Sequence, residues 1–203
     1  MLIKICGLRD NYSDVAALNP DFAGLIFYQK SPRFVELSQS PELKQRLADV
    51  KKVGVFVNAD KDYILSKASE YNLDLVQLHG NESPEFCAEI RKIIPVIKAF
   101  GISSESDLKT ADSYAQYVDY LLFDTKTKGY GGSGVKFDWQ MLQNVNISQK
   151  FLLSGGISLE DLEYIKALRI NNLVGVDLNS RFEDAPGLKN IEKLKQALNI
   201  VRK

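Results

Sequence analysis

Eight short apolar runs, each closed by turn residues and separated by stretches of helical spacing, constrain this chain more than any single motif. The runs are Leu2–Cys6, Phe22–Phe27, Val53–Val57, Leu75–Leu78, Val96–Phe100, Tyr120–Phe123, Phe151–Leu153 and Leu173–Val176. Between them, Pro41–Val50, Lys61–Tyr71, Pro84–Ile93, Glu105–Tyr114, Leu159–Leu168 and Leu188–Val201 carry apolar residues at helical intervals. Asn11–Leu18 and Asp138–Leu142 are shorter helical segments of the same kind. Ser40-Pro41, Ser83-Pro84-Glu85 and Ser158 with Asp161 are helix-start signals. Successive parallel strands need a crossover, so the alternation predicts an α/β chain built on a parallel sheet. No Pro/Gly-rich linker divides the 203 residues. The expectation is a single domain over residues 1–203, a closed (β/α)8 TIM barrel, with a doubly wound open sheet as the alternative.

A barrel places its functional groups at the C-terminal ends of the strands and in the loops that follow. In strand order those positions hold Cys6-Gly7, Ser31-Pro32-Arg33, Asn58, His79-Gly80, Gly101, Asp124, Ser154-Gly155-Gly156 and Asp177 through Arg181. Side chains alternate along a strand, so Ile3 and Ile5 pack under the helices while Lys4 and Cys6 point inward. Gln77 and His79 share a face in the same way, opposite Val76 and Leu78. Polar groups inside a barrel need partners, and near its mouth they become site candidates.

Asp124 ends an apolar run and leads into a loop with glycines at 129, 131, 132 and 134. Gly129–Gly134 matches G-x-G-x-x-G, but it neither leaves a strand directly nor opens a helix, so the nucleotide reading fails and a closing lid or a solvated loop remains. Ser154-Gly155-Gly156, followed by the helix start at Ser158, is a place for a phosphate: the glycines let backbone N–H groups approach an anion and the helix dipole favours it. The bland alternative is a tight strand-to-helix turn. Cys6 beside Gly7 reads as reactive or as small packing, and Cys87 as packing inside a helix. With His79 the cysteines make no metal-ligand spacing, and no G-x-S-x-G elbow is present. Arg33, stiffened by Pro32, is either a surface charge or a carboxylate clamp.

Lys plus Arg and Asp plus Glu number 26 each, so charge gives no case for nucleic acid or an anionic membrane surface. No apolar run approaches the roughly 18 residues that span a bilayer, and Met1–Gly7 lacks a signal-peptide core. The two cysteines suit a reducing compartment better than a disulfide scaffold, so a cytoplasmic location is expected.

Taken in order, Lys4-Ile5-Cys6-Gly7, Val53-Gly54-Val55-Phe56-Val57-Asn58, Val76-Gln77-Leu78-His79-Gly80, Asp124-Thr125-Lys126, Gly131-Gly132-Ser133-Gly134, Phe137-Asp138-Trp139, Leu153-Ser154-Gly155-Gly156 and Pro186-Gly187-Leu188-Lys189 resemble the phosphoribosylanthranilate isomerase family. The resemblance runs from the first strand to the last helix. It implies a phosphate-binding barrel of tryptophan biosynthesis that performs an Amadori rearrangement without a cofactor or metal. It further implies Asp124 as general acid at the ribose ring oxygen, Cys6 as general base at C2′, and Arg33 as holder of the anthranilate carboxylate. Gly155, Gly156, Asn179 and Ser180 would hold the phosphate, while Asp177 would orient or polarise the site. On physical grounds Asp124 should sit where burial raises its pKa, and Lys4 should favour a Cys6 thiolate. The expected partner is a small phosphorylated substrate, with the protein a monomer or a homodimer.

Two departures stand out. The strand-eight loop reads Asp177-Leu178-Asn179-Ser180-Arg181-Phe182-Glu183, where the family often has Ser-Ser-Gly-Val-Glu. Arg181 in place of glycine either constrains the backbone or adds a cation near the phosphate. The short segment between the first two strands implies a reduced first helix. A related aminoribosyl-phosphate isomerase of histidine biosynthesis would carry an acidic base where Cys6 stands. A non-catalytic phosphate-binding barrel would have no reason to set Cys6 against Asp124.

Overall fold

A computed structural model of the chain describes residues 1–35, 45–47, 49–126 and 136–203. Eight parallel strands close into a barrel in the order β1-β2-β3-β4-β5-β6-β7-β8. They are β1 (Leu2–Cys6), β2 (Phe22–Ile26), β3 (Lys51–Phe56), β4 (Leu75–Leu78), β5 (Val96–Ile102), β6 (Tyr120–Thr125), β7 (Phe151–Leu153) and β8 (Leu173–Leu178). The described helices are α1 (Tyr12–Ala16), α2 (Lys61–Tyr71), α3 (Pro84–Arg91), α4 (Glu105–Asp112), α5 (Met141–Asn144), α6 (Leu159–Ala167) and α7 (Ile191–Arg202). Every expected strand is present, and β6 and β8 run far enough to include Asp124 and Asp177. The first helix is reduced to five residues, as its short segment implied. Of the expected helix Pro41–Val50 only residues 45–47, 49 and 50 are described, and Gly129–Gly134 lies outside the described residues.

Local chemistry starts and stops the helices where the sequence calls for it. Asp60 accepts the Tyr63 N–H at 2.7 Å at the head of α2, Ser83 does the same for Phe86, and Ser104 with Asp107 forms a capping box at α4. One expected boundary moves. Leu188 and Lys189 do not begin the last helix; they form β10, antiparallel to β9 (Glu183–Ala185), and α7 starts only after Asn190. The Pro186-Gly187 turn, with Gly187 at φ +91°, folds the segment into a hairpin across the mouth.

The core has the two layers of a barrel. Ile3, Ile5, Val76, Leu78, Leu121 and Phe123 pack outward under the helices, whereas Phe22, Val53, Leu75, Ile97, Leu122 and Leu152 fill the interior. The expected inward direction of Lys4 and Gln77 follows, and both are buried. β8 breaks simple alternation. Val174 packs with the interior cluster, while Val176 and Leu178 pack outside. A register shift opposite Phe151 and Leu152 takes up the change of face, and Asp177 consequently lies level with Lys4.

Two of the buried ion pairs among the described residues tie barrel strands near the mouth. Lys98 of β5 reaches Glu82 at 3.1 Å and donates to the carbonyls of Leu78, Gly80 and Ala99. Glu82 in turn accepts from the N–H groups of Asn58 and Gly80, so the ends of β3, β4 and β5 share one polar knot. Lys4 of β1 bonds both carboxylate oxygens of Asp177 of β8, at 3.0 and 2.9 Å, across the seam where the barrel closes.

Candidate active site

The strand ends gather most of the polar residues expected there into two adjoining cavities. Cys6, Arg33, Gln77, His79 and Asp124 line one of them. Gly155, Gly156, Ser180 and Arg181 line the other, and Asp124, Ser154, Asp177 and Asn179 belong to both. All eight residues singled out for catalysis or substrate binding therefore fall in this pair of cavities. Asp124 stands at the junction.

Burial is the main reason the Asp124 carboxyl is pushed up to about 6; Asp177 adds to the rise, while the Thr125 N–H, donating at 2.7 Å, opposes it. This is the displacement expected for a carboxylic acid that must donate near neutral pH. His79 Nε2 lies 3.6 Å from Asp124 Oδ2. Its Nδ1 is 2.9 Å from Gln77 Nε2, so with the amide in this orientation Nδ1 accepts and Nε2 carries the proton facing Asp124. Burial, with Lys98 and Lys4 nearby, lowers the His79 pKa to about 4 and keeps the ring neutral.

At Cys6 the expected pull of Lys4 toward the thiolate is present but outweighed. Burial is the largest influence and raises the thiol pKa, and Asp177 adds to it; Lys4 and Lys189 pull the other way without prevailing. Lys4 itself is committed to Asp177. Burial works to lower its pKa, yet Asp177 and Cys6 hold it above the ordinary lysine value. The cation expected to activate the thiol is thus shared with a carboxylate that offsets it.

Arg33 is clamped by a residue the sequence reading left out. Its Nε and Nη2 donate to the Glu183 carboxylate at 2.9 and 2.6 Å. Lys189, fully buried, donates to the same carboxylate at 2.7 Å and to Asn179 Oδ1 at 2.9 Å. Pro186-Gly187-Leu188-Lys189 was visible as a motif, but nothing in its spacing shows that Lys189 turns back beneath the mouth. Gly7 explains how Arg33 comes so close to β1. At φ +74° its backbone suits glycine, and a Cβ there would lie 2.5 Å from Arg33 Cδ.

Around the second cavity, Gly155 has φ +93° and Gly156 +67°, both left-handed. A Cβ on Gly155 would meet the Thr125 N at 2.6 Å and Asp124 Oδ1 at 3.0 Å, so glycine lets this loop lie directly against the acid. Two expectations are sharpened. The head of α6 is already served by its own Asp161, which accepts from the Ser158 N–H and hydroxyl, so the dipole is partly answered from within. Arg181 sits in a 3-10 turn, Ser180–Phe182, without a left-handed backbone, and it is among the residues that line the cavity. Among the described residues no cluster of His, Cys, Asp and Glu could hold a metal ion, and no helix is long and apolar enough to cross a membrane.

The sequence profile of the family described as N-(5′-phosphoribosyl)anthranilate (PRA) isomerase matches residues 3–200. The chain belongs to this family. Its fold is the family's barrel, and its activity is that of an isomerase of tryptophan biosynthesis. The isomerase of Parabacteroides distasonis is 49% identical over 201 residues, covering 96% of this chain and 90% of that one. The crystal structure of the Thermotoga maritima isomerase superposes with a TM-score of 0.88 at 35% identity, covering 100% of this chain and 99% of that one. A further isomerase structure, a complex with reduced 1-(o-carboxyphenylamino)-1-deoxyribulose 5-phosphate, has a TM-score of 0.81 at 30% identity and covers 100% and 98%.

Proposed function

We propose that Asp124 and Cys6 are the acid and base of the rearrangement of N-(5-phosphoribosyl)anthranilate to 1-(2-carboxyphenylamino)-1-deoxyribulose 5-phosphate. Asp124, protonated, gives its proton to the ribose ring oxygen as the bond from that oxygen to C1′ breaks. The anthranilate nitrogen supplies the electron pair, leaving a protonated Schiff base. Cys6, as thiolate, removes the proton from C2′ and the electrons flow into the C1′–C2′ bond, giving an enolamine. Protonation at C1′ and loss of the C2′ hydroxyl proton yield the ketone. The observation that carries this reading is a carboxyl with a pKa of about 6 at the junction of the two cavities, one of which it shares with the Cys6 thiol.

Arg33 holds the anthranilate carboxylate, and the sugar phosphate lies against Gly155, Gly156, Asn179 and Ser180, with Arg181 at its edge. The bound, reduced product in the related complex has both anionic groups, and the paired cavities offer a place for each. Asp177 serves through Lys4, which it fixes near Cys6. Residues 1–203 act as one unit, since the cavities draw on both the first and the last strand. A cytoplasmic setting, where thiols stay reduced, suits the free Cys6.

The test follows the fluorescence lost as phosphoribosylanthranilate is consumed. Cys6→Ser and Asp124→Asn should each lower kcat by at least about a hundredfold, the usual worth of a positioned acid or base. Near wild-type kcat in either variant removes that residue from its assigned step.

A further inference from the structure

Glu183 stands at the start of β9 in the hairpin that follows β8, with its side chain 5% exposed. It takes one edge of the Arg33 guanidinium, the edge formed by Nε and Nη2. Among the described residues Nη1 has no protein partner, so the end edge, formed by Nη1 and the outer N–H of Nη2, is not taken up by Glu183, and Arg33 lines the cavity. Glu183 is itself fixed: Lys189 donates to it at 2.7 Å and the Gly187 N–H at 3.2 Å. Gly7 supplies a flat floor under the Arg33 side chain.

We propose that Glu183 is a positioning residue for substrate recognition: it holds Arg33 by one edge so that the guanidinium presents only its end edge to the carboxylate of the aromatic ring. The proposal rests on the assignment of Arg33 to that carboxylate. An arginine side chain has several rotatable bonds, and holding one edge in advance removes most of the ordering otherwise needed when a ligand binds. It also fixes direction, because a planar fork accepts a carboxylate only in its own plane. A mere charge-balancing role makes the opposite prediction. Replacing Glu183 by a neutral residue would then leave Arg33 and Lys189 more positive together, and a carboxylate would bind more tightly.

The experiment measures, by calorimetry, the Kd of reduced 1-(2-carboxyphenylamino)-1-deoxyribulose 5-phosphate and of the same molecule with phenyl in place of 2-carboxyphenyl. The ratio of the two is the preference for the carboxylate. Wild type should show a preference, Arg33→Met should abolish it, and Glu183→Gln should reduce it about tenfold, the worth of a well-aligned charge-assisted bond. The Kd of the phenyl compound should stay the same in Glu183→Gln. If Glu183→Gln keeps or raises the preference while Arg33→Met abolishes it, Glu183 does not position Arg33 and the Arg33 assignment stands. Equal weakening of both ligands shows a structural role only and overturns the proposal. A wild type without preference, or an Arg33→Met that retains it, overturns the Arg33 assignment instead, and the proposal with it. If Glu183→Gln does not fold, Glu183→Asp, which keeps the charge but draws it back by one methylene, is read by the same ratio. Failure of both to fold marks Glu183 as structural and also overturns the proposal.

Discussion

In the proposed reaction Asp124 must be protonated to give a proton to the sugar, and Cys6 must be ionised to take one. Their surroundings put both pKa values on the less populated side: Asp124 at about 6 and the thiol above its ordinary value. The working form, acid protonated and base ionised, is therefore a minority form near neutral pH. The sign of its pH dependence follows directly. Below pH 6 Asp124 is protonated, and activity rises about tenfold per pH unit with the thiolate fraction. Above pH 6 the loss of protonated Asp124 cancels that gain, so kcat/KM is flat until the thiol itself titrates. A plot of log kcat/KM against pH for wild type should climb with unit slope and break near pH 6. A profile that falls steadily from pH 6 to 8 would mean the thiol is already ionised there, contrary to the burial that dominates its environment. His79 bears on the same balance: neutral, with its protonated nitrogen facing Asp124, it adds no charge that would pull the acid down.

At the scale of strands and loops, the closeness of β6 and the β7 loop decides the geometry of the acid. Gly155→Ala would press a methyl group on the Thr125 N–H and on Asp124 itself, at a left-handed φ that alanine resists. A loss of about 1–3 kcal/mol of stability and at least about a tenfold fall in kcat/KM are expected. Denaturant melting and the fluorescence assay together check this. An unchanged kcat/KM would show that the loop can withdraw without disturbing the acid. This contact also marks the limit of what sequence can reveal. Eight strands and the location of Cys6, Arg33, Asp124 and Gly155 on one rim could be read from alternation and from turn residues, because burial and backbone freedom leave those traces locally. Asp177 could be placed on the rim, but not facing Lys4. Strict alternation from Val174 turns it to the outer face, and only the register shift opposite Phe151 and Leu152 brings it in. The roles of Glu183 and Lys189 are not legible in the sequence for a related reason. Their meaning depends on a hairpin folding back over β1, and a local pattern of apolar residues does not record that fold.

Across the whole molecule, Lys4 and Asp177 join the first strand to the last. Their attraction outweighs the cost of burying them only while both are present. Lys4→Met leaves Asp177 buried and unpaired, and about 3–5 kcal/mol of stability should be lost at pH 7. The loss should shrink as pH falls, since burial already raises the Asp177 pKa and its neutral form folds without a partner. Urea unfolding of wild type and Lys4→Met at pH 7 and pH 5 separates the outcomes. A loss below about 1 kcal/mol at pH 7 would mean the seam closes on backbone bonds alone. The zero formal charge of the chain leaves little global field to compensate for a local imbalance of this kind.

The same pairing governs when the protein can begin to work. During synthesis β1 emerges first and waits, one edge unmatched, until β8 arrives with Asp177. Before that moment Cys6 lacks the wall that buries it, Lys4 lacks its partner, and the second cavity lacks Asn179 and Ser180. A shortened or stalled chain is then left with an open sheet edge and an incomplete pair of cavities together, so closure of the barrel and completion of the proposed site are one event.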